Sequence, residues 1–145
     1  MGRDALVFYK REHLELPAKL LEHVELVDSE TGRLDFDEGW ENPAYEKLIA
    51  AEERIGHLAA VVHLRTECQR LIPDASEVLV GKVLWNGIAG GDHLPLAQVP
   101  ALRTELEALE RRAGEAELPE LVRGFIAAMR RLCDAAEREG NAICF

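Results

Sequence analysis

Residues 119–145 read PELVRGFIAAMRRLCDAAEREGNAICF, and this stretch decides the fold class. Leu121, Val122, Phe125, Met129, Leu132, Cys133 and Ala136 recur at three- and four-residue spacing, with Leu118 just before them. That spacing gathers them on one wide apolar face, the pattern of a helix packed on a core. Pro119 opens the helix and Gly140-Asn141 closes it. The chain then ends in Ala142 to Phe145, apolar and too short to stand alone. Ala5 to Lys10 (Ala-Leu-Val-Phe-Tyr-Lys) is a β-rich run at the other end and supplies a partner strand. A terminal helix whose following strand returns to pair with the N-terminus is the mark of an α+β fold.

Working outward from that helix, Val99, Leu102, Leu106 and Leu109 predict another helix after Pro95, ending near Ala113 at Gly114. Asn42 and Pro43 read as the N-cap and first position of a long helix running to about Leu71, stopped by Pro73. Ala44, Leu48, Ala51, Ile55, Leu58 and Val62 form its apolar stripe, with Gly56 marking a bend. Residues 77–85 are ambiguous between strand and helix, with the reading leaning to a helix that begins near Asp74. Asn86 to Pro95 reads as a glycine-rich loop. Val24 to Val27 and Arg33 to Phe36 flank Asp-Ser-Glu-Thr-Gly, a hairpin in which Val24, Leu26, Leu34 and Phe36 face inward. The expected architecture is predominantly helical α+β. About four helices pack with a small antiparallel sheet formed by the terminal strands and the hairpin, in one domain over 1–145.

Composition bounds the function. The 145 residues carry 27 acids against 17 Lys and Arg, for a net charge of −10. A nucleic-acid-binding surface needs clustered cations, so nucleic acid is not expected as a partner. No uncharged apolar run approaches the roughly 18 residues of a bilayer span, and no secretory leader is visible, so neither a membrane nor export is expected. Three cysteines without C-x-x-C spacing fit a reducing cytoplasm better than a disulfide framework. The size and acidity resemble small bacterial accessory proteins, which is a class and not a family.

Sites of chemistry are sparse. Ser29 and Ser76 lack a G-x-S-x-G context, and Gly87-Ile88-Ala89-Gly90-Gly91 fits no phosphate-binding fingerprint. On a helix, Glu53, His57, His63 and Glu67 would share one face. The two histidines would lie about 9 Å apart along its axis, too far for one zinc ion with bonds of about 2 Å. With His93 these four remain weak metal candidates, and no cofactor is expected. The stretch from Asp35 to Glu46 imitates an EF-hand but has Trp40 where the loop glycine belongs.

What remains is charge. Between Asp28 and Glu46 there are seven acids, Asp28, Glu30, Asp35, Asp37, Glu38, Glu41 and Glu46, against Arg33 alone. Phe36, Trp40 and Tyr45 are interleaved with them. Charge steers encounter while aromatics anchor the contact. The expected partner surface is therefore Asp28, Glu30, Asp35, Asp37, Glu38, Trp40, Glu41 and Tyr45. On this reading the protein is non-catalytic and inhibits or regulates a basic protein, in the manner of a toxin's immunity protein. The alternatives are a metal-dependent enzyme using His57, His63, His93 and nearby carboxylates, and a structural homo-oligomer such as a homodimer.

Overall fold

The computed structural model describes residues 2–37, 45–74, 76–84, 93–114 and 119–145. In chain order these form β1 (Gly2–Phe8), a 3₁₀ turn (Arg11–His13), α1 (Ala18–Leu21), β2 (Val24–Asp28), β3 (Arg33–Phe36) and a second 3₁₀ turn (Tyr45–Leu48). Then come β4 (Ile49–His57), α2 (Leu58–Leu71), a π-helical turn (Leu79–Val83), β5 (His93–Leu94), a third 3₁₀ turn (Leu96–Gln98), α3 (Val99–Gly114), α4 (Glu120–Glu139) and β6 (Ile143–Cys144). The fold is α+β: helices with a four-stranded antiparallel sheet in the order β4-β1-β6-β5, plus the β2-β3 hairpin as a sheet of its own. Among the described residues no helix is long and apolar enough to cross a membrane.

The terminal pairing holds. Leu6 lies opposite Cys144, and β6 in turn pairs with β5, where His93 meets Cys144 and Leu94 meets Ile143. The end of the expected glycine-rich loop is thus a strand. α4 lies over this sheet and buries Val122, Phe125, Ile126, Met129, Leu132 and Cys133. They join Ala5, Val7 and Ile55 of the sheet and Val99, Leu102, Leu106 and Leu109 of α3 in one continuous core. Leu121 is the exception on the predicted stripe, at the exposed rim.

The long helix expected from Pro43 to Leu71 is corrected. Residues 38–44, with Asn42 and Pro43, lie outside the described set. Tyr45–Leu48 is a 3₁₀ turn, Ile49–His57 is β4, and the helix starts only at Leu58. The physical reason is a degeneracy: a spacing of four is also a multiple of two. Ala51 and Ile55 therefore share a face in a strand as well as in a helix. β1 needs a neighbour for its backbone groups, and β4 supplies it from Gly2 opposite His57 to Phe8 opposite Ile49. Ala50 and Ile55 are skipped in that pairing, so a bulge sits near each end of β4. Gly56 follows the second bulge at φ 134°, a conformation closed to helix and costly for any other residue. His57 then caps α2, its Nδ1 accepting the Ala60 N–H at 3.2 Å.

Residues 77–83 are helical, as the reading leaned, but their first turn is held from outside. Glu105 of α3 is buried and accepts the Val78 N–H at 3.0 Å and the Leu79 N–H at 2.8 Å. A carboxylate at this position satisfies donors that the turn leaves free.

Candidate functional site

The hairpin closes through its own polar side chains. Asp28 Oδ1 accepts the Glu30 N–H at 2.9 Å, and the Asp28 carbonyl accepts the Gly32 N–H at 2.9 Å. Thr31 Oγ1 accepts the Arg33 N–H at 3.2 Å. These are the short-range bonds by which Asp and Thr build turns. Gly32 stands at φ 75° with Asn141 pressed against it, so a Cβ there would lie 2.1 Å from Asn141 Oδ1. Asn141 Nδ2 donates to the Phe8 carbonyl at 2.8 Å, which ties the hairpin turn to β1 and to the end of α4.

A second, smaller cluster holds the hairpin down. Val24, Leu34, Phe36 and Leu48 are buried, with Phe8, Leu14, Leu16 and Leu20 packed against them. Leu26 was expected to join it and does not. Its register opposite Leu34 gives it the inward face, but the cluster ends at Leu34 and Leu26 is left 58% exposed. Val27, on the other face, is 55% exposed. Glu25 and Glu30 beside them are exposed too. Leu26 forms one wall of a cleft of about 280 Å³, shared with Tyr9, Lys10, Arg11 and Ser29. Across the turn, Asp28, Thr31 and Arg33 face Leu6, Phe8 and Cys144 over another cleft of about 300 Å³.

The structure divides the predicted acidic surface. Asp28 bonds the turn, Asp35 Oδ1 accepts the Phe36 N–H at 2.8 Å, and Asp37 lies 2.9 Å from His23 Nδ1. These three acids spend part of their charge on holding the hairpin. Glu30 and Glu46 are exposed. Tyr45 is half-exposed, its ring edge-on to Phe36 with centroids 5.7 Å apart. Desolvation first, and the Asp35 carboxylate second, push its hydroxyl above the ordinary phenol value. Glu38, Trp40 and Glu41 lie outside the described residues. Sequence reasoning gave Leu26 the inward face and passed over Glu25 and Val27 as surface, though the Leu-Val doublet carried a signal. Two successive apolar residues in a strand point to opposite faces, so one must look outward.

The metal candidates are not brought together. Glu53 sits on β4 bonded to Arg131 of α4, and His57 caps α2. His63 is exposed on α2, while Glu67 bonds Arg70 at 2.6 Å. His93 lies on β5. The shared helical face expected for Glu53, His57, His63 and Glu67 does not exist, because the helix begins after His57. Among the described residues no three His, Cys, Asp or Glu side chains are grouped to hold an ion.

Two carboxylates that no local pattern marks are buried instead. Glu139 has a side chain only 1% exposed; it accepts the Lys10 N–H at 3.2 Å and faces His13 Nδ1 at 3.0 Å. With Glu105 it pins distant segments, a positioning role. The thiols are quiet. Burial above all pushes Cys68 up to about 12 and Cys133 up to about 11, the reverse of an activated nucleophile. No family model, curated protein or solved structure shows significant similarity to this chain.

Proposed function

We propose that this is a non-catalytic binding protein that docks a basic protein partner through its acidic hairpin, inhibiting or regulating that partner. The observation that carries the reading is the exposed Leu26–Val27 pair set between exposed Glu25 and Glu30. Leu26 and Val27 point to opposite faces of the hairpin, so either face offers an apolar anchor that can be desolvated. Glu25 and Glu30 beside them supply steering charge, while Lys10 and Arg11 line the cleft on the Leu26 side. Tyr45 adds an exposed ring at the far end of the hairpin, and Glu38, Trp40 and Glu41 extend the surface on sequence grounds. Free Cys68, Cys133 and Cys144 suit a reducing compartment such as the cytoplasm.

The test is kinetic. A partner captured on the immobilised protein is rebound to the parent, to a Glu25→Lys/Glu30→Lys variant and to a Leu26→Ala/Val27→Ala variant. Charge reversal should slow association by about tenfold at low salt, and added salt should slow the parent likewise. Loss of the apolar pair should instead speed dissociation. Parental kinetics in both variants would contradict the proposal.

A further inference from the structure

β4 is the outermost strand of the four-stranded sheet, and among the described residues only β1 pairs with it. Its other edge is nine residues long. An open edge presents unpaired N–H and C=O groups on which a further strand can add. The side chains along it decide which strand fits. The bulges at Ala50 and Ile55 leave Ala51–Arg54 as the regular stretch, and that stretch holds Glu52, Glu53 and Arg54. Glu52 and Arg54 are exposed on the outer face of the sheet. Glu53 turns to the other face, where Arg131 of α4 bonds it.

We propose that this edge takes a second copy of the same chain, antiparallel, about a two-fold axis through Glu53. Two identical edge strands with both α4 helices on one face are related by a two-fold axis normal to the sheet. Because side chains alternate faces, that axis passes through a residue and never between two. An axis at Glu52 sets two glutamates against each other on the exposed face, and an axis at Arg54 does the same with two arginines. An axis at Glu53, the midpoint of β4, overlaps the whole strand and places Glu52 opposite Arg54 of the partner subunit, twice. Directly opposed charges of unlike sign favour pairing. The two Glu53 side chains meet on the inner face, each brought with its own Arg131. Asp4 lies opposite Arg54 within one copy, so the row across the outer face runs Asp4, Arg54, then Glu52 of the partner subunit, alternating in sign.

The register makes a charge-swap experiment decisive. In Glu52→Arg both cross-strand pairs join two cations, and in Arg54→Glu both join two anions. Sedimentation equilibrium should show the parent as a dimer and each variant with Kd raised by about tenfold or more. An equimolar mixture of the two variants should recover the parental Kd. One chain of the mixed dimer then carries cations at both positions and the other carries anions, so unlike charges meet at every pair. Both positions are exposed, and circular dichroism should show parental fold in each variant. If either is misfolded, Glu52→Gln and Arg54→Gln replace them, each expected to raise Kd by a smaller factor. A monomeric parent, an unchanged Kd in the reversals, or a mixture that stays as dissociated as its components would each overturn the proposal.

Discussion

Two hydrophobic clusters hold this chain, and they differ in kind. The larger runs under α4 and joins the sheet, α2, α3 and the π-helical turn. The smaller consists of Val24, Leu34, Phe36 and Leu48, with partly buried neighbours, beneath the hairpin. Burial scales with apolar area, so the first carries the stability and the second only holds the hairpin in place. The difference bears on the proposed binding surface: the exposed apolar pair and the outward acids stand on the small cluster, where side chains can be left out of the packing. Elements of low local stability are where binding surfaces are commonly found.

The largest expected effect breaks the larger cluster. Phe125→Ala should lower stability by about 3 to 5 kcal/mol, read as a shifted denaturant midpoint. An unshifted midpoint would place α4 outside the core. Removing Ala142 to Phe145 takes away buried Ala142 and Ile143 and the strand between β1 and β5, and should cost about 2 to 4 kcal/mol. The melting temperature of the truncated chain checks it. Leu34→Ala in the small cluster should cost about 2 kcal/mol at most, because the hairpin can open without the rest. A loss as large as that of Phe125→Ala would erase the distinction between the clusters.

Alkaline pH probes the larger cluster through its two buried thiols. Cys68 and Cys133 have an ordinary value of 9.0 when unfolded and are raised to about 12 and about 11 when folded. Above pH 9 the unfolded chain therefore loses protons that the native chain keeps, so stability falls as pH rises from 9 through 11. A Cys68→Ala/Cys133→Ala variant should show a shallower decline over that window; equal slopes would mean the thiols are not desolvated. The smallest effect belongs to the junction of β4 and α2. His57→Ala removes a helix cap and should cost about 0.5 to 1 kcal/mol in thermal unfolding.

Legibility in the sequence follows the range of the forces involved. α4 could be read because Val122, Phe125, Met129 and Leu132 declare a helical face locally and Gly140 stops it. The pairing of the termini followed from the apolar ends themselves. β4 could not be read: Ala, Glu and Arg favour helix, the Ala51–Ile55 spacing suits both states, and the deciding partner is β1, more than forty residues away. Glu105 and Glu139 were invisible as buried acids because the groups they bind lie 27 and 129 residues distant. At the candidate surface the acidity was plain in sequence. Which acids bond the hairpin and which face outward depended on turn geometry at Asp28, Asp35 and Asp37.

Native-state hydrogen exchange tests the two-cluster account most directly. Amides of Met129 and Leu132 in α4 should exchange only by global unfolding. Those of Gly32 and Asp37, which bond the Asp28 and His23 carbonyls across the hairpin, should exchange through a local opening of distinctly lower free energy, with a smaller dependence on denaturant. Equal protection in α4 and the hairpin, rising together with stability, would show a single cooperative unit and contradict the account.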